Sequence, residues 1–290
     1  CRFERNFIMQ KFFEFEERLK LEGLKSMFVT IPESIALDIF EYTDSEILLF
    51  IYLQMNSNFL GDVLFCEYDF VKWLGMKPSR KKGDILDKVE IALVRLAEQN
   101  FIKFQPHEKL GRNGVYNVHI ESDVILKQKF AIIYFDEIFD IMKINFSGCK
   151  LGSYGKTFRL LSYFRLNIYQ RKNTFFSKDK EKEIAKRRRE MPEVFNIHIK
   201  TIGEDLNMDR KTASKFVNIL TDTGIIVKKK PFHVQYENRW YSPEIFFANA
   251  YKRQNGYLLA SGEAYYLSEI EEKEKRMKRL HERYAVNYHE

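Results

Sequence analysis

Residues 199–230, IKTIGEDLNMDRKTASKFVNILTDTGIIVKKK, constrain the fold more than any other stretch of the chain. They read as helix, tight turn, helix, then a strand leaving on lysines. Thr201 is placed to cap a short helix over 202–206, Asn207 and Met208 form the turn, and Met208 is an apolar plug between the helices. Asp209 is the second cap, because a short carboxylate just before a helix can accept a free backbone N–H. The longer helix runs from Arg210 to about residue 223, with Ala213, Phe216, Val217 and Leu220 at the spacing that buries one face. Gly224 supplies the usual stop, and Ile225, Ile226 and Val227 read as a strand.

The opposite face of that second helix carries Arg210, Lys211, Thr212, Ser214, Lys215 and Asn218. These side chains can bond phosphates and base edges, and they are concentrated near the helix start. A recognition helix offers that end to the major groove. The competing reading is a solvated face on an ordinary helical hairpin. Three features favour the first: the small Ala213, the short capped turn, and Gly-Ile-Ile-Val-Lys directly after the helix. On these residues the stretch resembles winged helix-turn-helix DNA-binding domains.

The charge distribution agrees with this. The net charge of +7 is uneven: residues 1–125 hold 16 Lys+Arg against 20 Asp+Glu, and residues 126–290 hold the remaining 32 against 21. A basic half that carries a helix-turn-helix has the electrostatic footprint of a nucleic-acid binder. No run of about 18 apolar residues is present, so no membrane partner is expected. The N-terminal residues lack the apolar core of a signal peptide. Cys1, Cys66 and Cys149 are far apart and form no metal or disulfide pattern, so the expected setting is the cytoplasm.

The first half repeats the pattern. Thr43 caps a helix over 44–55, residues 65–74 form a second, and Gly75 and Met76 stand where Asn207 and Met208 stand later. A basic loop, KPSRKKGD, holds Arg80, Lys81 and Lys82 and closes on Asp84 as a cap. A third helix over 85–99 buries Leu86, Val89, Leu93 and Leu96, and Asn100, Phe101 and Ile102 match Gly224, Ile225 and Ile226. The turns align at an offset of 132 and the later strands at 124, a difference equal to the eight-residue loop. Strands at 101–105 and 115–120 then bracket a wing tip.

The expected architecture is therefore mainly α with small β-hairpins (α+β), built as two tandem winged helix-turn-helix domains. Residues 1–41 are a lead-in helix and strand, and 42–124 form the first winged-helix domain. Residues 125–255 form the second, opened by a long helix over 155–169 that Ser153 caps, and 256–290 form a charged C-terminal helix that runs from about residue 263 after a break at 256–262. The linker is expected at 122–129, and an apolar strand and helix over 130–146 should pack on the second domain. Within that domain, 171–192 is a basic insertion; Lys186, Arg187, Arg188 and Arg189 could act as a phosphate-contacting arm or as a solvated loop. The wing is expected to run through residues 231–238 and return along 240–247.

Catalytic signals are weak. GSYGKT at 152–157 ends like a phosphate-binding loop and AIIYFDE at 131–137 like an acidic strand, but Lys150 stands where that loop needs glycine. The six histidines do not pair at metal-binding spacing. No enzyme activity, cofactor or metal is expected.

Tandem winged helices over about 45–250, the second basic and the first acidic, are similar to the replication initiator (Rep) proteins of plasmids and phages. That resemblance implies sequence-specific binding of double-stranded DNA at origin repeats and recruitment of host replication proteins. On this reading the second domain's helix enters the groove and Lys228, Lys229 and Lys230 hold flanking phosphates. Residues 1–124 serve pairing with a second copy or contact with host proteins, and Asp84, Asp87 and Glu90 repel phosphate at the first domain's helix. The alternatives are a transcriptional regulator on a palindromic operator and an interaction module of a replisome or segregation complex.

Overall fold

A computed structural model describes residues 27–79, 83–106, 114–168, 195–229, 234–236, 239–241, 245–254, 257–260 and 279. It is a mixed α+β protein of helices and small antiparallel sheets. The chain divides into two compact units, one made of Cys1–Leu166 with Asn255–Tyr257, the other of Asn167–Gln254 with Leu258–Glu290.

The first unit opens on β1 (Phe28–Pro32) and a short helix α1 (Glu33–Leu37). Its central helix is α2 (Asp44–Asn56), buried on nearly every side from Ile47 through Ile51. A helix that is apolar all round belongs in a core. Thr43 caps it as expected: its hydroxyl accepts the Ser45 N–H, while Glu46 reaches back to the Thr43 N–H. Strand β2 (Asp62–Cys66), helices α3 (Glu67–Trp73) and α4 (Ile85–Glu98), then strands β3 (Ile102–Pro106) and β4 (Val115–Ile120) follow. The sheet order is β2-β4-β3.

The expected helix over 65–74 is shorter, because residues 62–66 alternate as a strand should. Val63 and Phe65 point inward, Leu64 points out, and Phe65 pairs with Tyr116 across the ladder. Asp84 stands at the start of α4, but its side chain does not cap that helix; it accepts the Ser79 hydroxyl instead.

The boundary between units also departs from expectation. The linker at 122–129 contains a helix, α5 (Ser122–Leu126), and β5 (Phe130–Tyr134) pairs antiparallel with β1 from Phe28↔Tyr134 to Pro32↔Phe130. Helix α6 (Phe135–Met142) follows, then the long helix α7 (Lys150–Asn167). All of these through Leu166 belong to the first unit rather than opening the second. The physical reason is a set of polar ties. Arg159 of α7 is 2% exposed and donates to the carbonyls of Ile35, Ala36 and Tyr42 at 3.2, 2.9 and 2.9 Å. Its Nε lies 3.7 Å from Asp44. Burial pushes the Asp44 carboxyl up and pulls the Arg159 guanidinium down from their ordinary ranges. Gly155 of α7 meets the start of α2 so closely that a Cβ there would lie 2.3 Å from the Asp44 Cβ. Ser153 lies inside this helix, not at its cap.

The second unit contains β6 (Phe195–Ile197), α8 (Ile199–Asp205), α9 (Arg210–Asp222), β7 (Ile226–Lys229), β8 (Val234–Tyr236), β9 (Arg239–Tyr241) and β10 (Ile245–Asn249). Its three-stranded sheet has the order β6-β10-β7. The return strand starts at Ile245, later than expected; Trp240 belongs to a separate ladder in which β8 pairs with β9. Strands β11 (Tyr251–Gln254) and β12 (Tyr257–Ala260) pair across the domain boundary expected at residue 255, ahead of the expected C-terminal helix. The lead-in helix within 1–26, the insertion 171–192 and all but Arg279 of the helix expected after residue 263 lie outside the described residues.

The repeat can be followed in backbone hydrogen bonds. Met76 N donates to Val71 O at 3.1 Å, and 132 residues on Met208 N donates to Gly203 O at 2.7 Å. Phe101 N donates to Leu96 O, and 124 residues on Ile225 N donates to Leu220 O. Both helix ends are left-handed at the matching residue, Asn100 with φ 59° and Gly224 with φ 71°. Counting only the strands of each three-stranded sheet, the repeated order is strand, helix, helix, strand, strand with the last of these central; in the second unit the β8–β9 ladder lies between the last two.

Candidate nucleic-acid interface

The candidate surface is built by the α8–turn–α9 segment. Helix α8 begins earlier than expected, after His198, so Thr201 lies within it and does not cap it. The turn depends on a residue whose part the sequence pattern does not reveal. A Cβ on Gly203 would lie 2.6 Å from the Met208 carbonyl oxygen, so a side chain there forces the two helices apart. The available signal was a glycine inside a seven-residue helix, a costly choice that asks for a packing reason. Asn207 turns the chain in the left-handed region at φ 46°, which asparagine tolerates.

Asp209 then fixes the start of α9. Its Oδ1 accepts the N–H groups of Lys211 and Thr212, both at 2.9 Å, and its Oδ2 accepts the Thr212 hydroxyl. The bond from the Thr212 side chain, with the backbone N–H groups, holds the Asp209 carboxyl below its ordinary range. Thr212 therefore uses its hydroxyl on the cap. Ala213, Phe216, Val217 and Leu220 are buried, at most 4% exposed, so the rotation of the helix about its axis is fixed.

With that rotation set, Arg210, Lys211, Ser214, Lys215 and Asn218 line one shallow outward concavity, with Ile219 and Asp222 at its far end. Lys215 extends past the Phe216 ring, its Nζ 5.8 Å from the centroid, within the range of a cation–π contact. Lys228 on β7 donates to Asn218 Oδ1 at 2.6 Å and so ties the strand to the helix face. Lys229 is the next residue on the strand, opposite Phe246 of β10. Lys230, Lys186, Arg187, Arg188, Arg189, Arg80, Lys81 and Lys82 lie outside the described residues.

Helix α4 is the counterpart in the first unit. At the offset of 124, its buried Val89, Ala92, Leu93 and Leu96 match Ala213, Phe216, Val217 and Leu220. Its outward residues differ in kind: Asp87, Glu90, Ile91 and Val94 stand where Lys211, Ser214, Lys215 and Asn218 stand in α9. Arg95 turns to the buried Glu46, at 3.2 Å.

The segment resembling a phosphate loop, 152–157, is helical and lies within α7, so it offers no loop to wrap a phosphate. Among the described residues no group of three His, Cys, Asp or Glu is placed to hold a metal ion. No helix among them is long and apolar enough to cross a membrane. In comparisons with known proteins, no family model and no curated protein matches this chain.

Proposed function

We propose that both units are winged helix-turn-helix modules, and that the second binds double-stranded DNA in a sequence-specific way through α9. The observation that carries this reading is the outward face of α9. It holds three cations, a hydroxyl and a carboxamide, with the helix capped by Asp209 and one side chain tied to Lys228. Cations neutralise phosphates, and a guanidinium near a helix start, as Arg210 is, can pair with base edges. Lys228 and Lys229 would lie along the flanking backbone. The biological role proposed is a plasmid or phage replication initiator that binds origin repeats and recruits host replication proteins through the first unit.

A salt series of DNA-binding measurements tests it. The full chain should shift duplex DNA at about 50 mM salt and weaken steeply as salt rises, because binding releases counterions. Lys211→Ala and Lys215→Ala should each lower the slope of log affinity against log salt by about 1, whereas Arg210→Ala should relax sequence preference. No shift at low salt, or identical behaviour of all three variants, would sink the reading.

A further inference from the structure

We propose that the outward face of α4 in the first unit docks a basic, amphipathic segment of another protein. The proposal rests on the reading that α4 and α9 are equivalent helices, and it gives the chemistry of the partner that the first unit would take.

The stripe Asp87–Ile91–Val94–Glu98 recurs at intervals of four, three and four residues, so it lies along one side of the helix, with Glu90 beside it. Ile91 is 48% and Val94 41% exposed. Two branched apolar side chains are thus left about half-exposed on a helix that already buries six residues in the core. Carboxylates stand before and after them. Of the two cations on the helix, Arg95 is held at Glu46 and Lys88 lies at the margin of the stripe. Such a face repels phosphate, since carboxylates next to a polyanion raise its energy.

The complementary surface has an apolar pair to cover Ile91 and Val94 and cations to meet Asp87, Glu90 and Glu98. Fourteen residues make α4 about 21 Å long at 1.5 Å per residue, enough to lie beside a partner helix of several turns. Apolar burial supplies affinity and the flanking charges set partner choice.

The test uses the full chain and a displayed library of helical peptides with randomised outward positions. Enriched peptides should carry an apolar pair one turn apart flanked by Lys or Arg. Their binding should fall about tenfold or more with Ile91→Glu/Val94→Glu, the loss expected at a central apolar anchor. Glu90→Lys/Glu98→Lys keeps the apolar pair and leaves the bond from Gly83 N–H to Asp87 in place, and it should turn the selection toward acidic peptides, so the proposal stays testable if the first variant folds poorly. Lys215→Ala should leave peptide binding intact while weakening DNA binding, which separates failure here from failure of the DNA reading. Peptides without a basic bias, or binding indifferent to Ile91→Glu/Val94→Glu, overturn the proposal. So does sedimentation showing that a second copy of the chain covers the face, with self-association abolished by the same variant.

Discussion

Helices α4 and α9 share a buried pattern and differ in the chemistry of their outward faces. Their buried positions are interchangeable in kind: Val89, Ala92, Leu93 and Leu96 in one, Ala213, Phe216, Val217 and Leu220 in the other. Size is even traded between neighbours, with Ala92 standing where Phe216 stands and Val89 where Ala213 stands. The outward positions share no residue: Asp87 faces Lys211 in the alignment, Glu90 faces Ser214, Ile91 faces Lys215 and Val94 faces Asn218. A core accepts many apolar sets if volume and pattern hold. The outward face has no such constraint, so it is where two copies of one fold can acquire different partners.

The two units also differ in what holds them together, and the largest expected effect tests that. In the first unit Arg159 satisfies three buried carbonyls and lies against Asp44. Arg159→Met should destabilise it by about 3–5 kcal/mol, the usual result of stranding one side of a buried ionic network. In a denaturant titration followed by proteolysis of each unit, the first should open at lower denaturant. DNA binding by the second should persist above that point, until the second unit itself opens. Simultaneous loss of both would break the view of the units as separate.

The next effect concerns the turn. Gly203 and Val71 occupy the same place, but only the second unit closes its turn to 2.7 Å between Met208 N and the carbonyl; the first stays at 3.1 Å. Gly203→Val should cost about 1–3 kcal/mol, the range for overpacking, and weaken DNA binding by displacing α9. Val71→Gly in the first unit should leave its turn in place and cost mainly the buried side chain. Thermal unfolding of both variants decides it, and equal costs would show that the two turns are less different than their geometry suggests.

The smallest effect distinguishes the caps. Asp209 caps α9, whereas the Asp84 side chain in front of α4 accepts a serine hydroxyl instead. The Asp209 carboxyl is held below its ordinary value of 3.8 in the folded chain. Its contribution is therefore fully present above that value and is lost as pH falls through the lower, folded one. Asp209→Asn should flatten this part of the acid stability curve, because an amide oxygen still accepts from the backbone but does not titrate. An unchanged acid limb would show that the cap carries no pH-dependent stability.

Much of the α9 region was legible from local signals. The Asp209 cap, the buried quartet and the glycine stop are encoded within a few residues of where they act, and period and capping act locally. The strand at 62–66 was missed because its alternation over five residues merges into the helix that follows. The role of Gly203 could not be assigned, because what forbids a side chain there is a carbonyl five residues away that only the closed turn brings near. The link from Lys228 to Asn218 depends likewise on where β7 crosses the helix.

The sequence by itself determined that two similar helical segments exist and that their outward faces carry opposite chemistry, because spacing and charge are properties of the chain. Only the tertiary structure decided where the first unit ends. Residues 130–166 carry the same apolar pattern whichever body they join. Their assignment rests on the β1–β5 ladder and on Arg159 meeting carbonyls more than a hundred residues earlier. Contacts at such separation leave no periodic trace in the sequence, so they are settled only when the chain is folded.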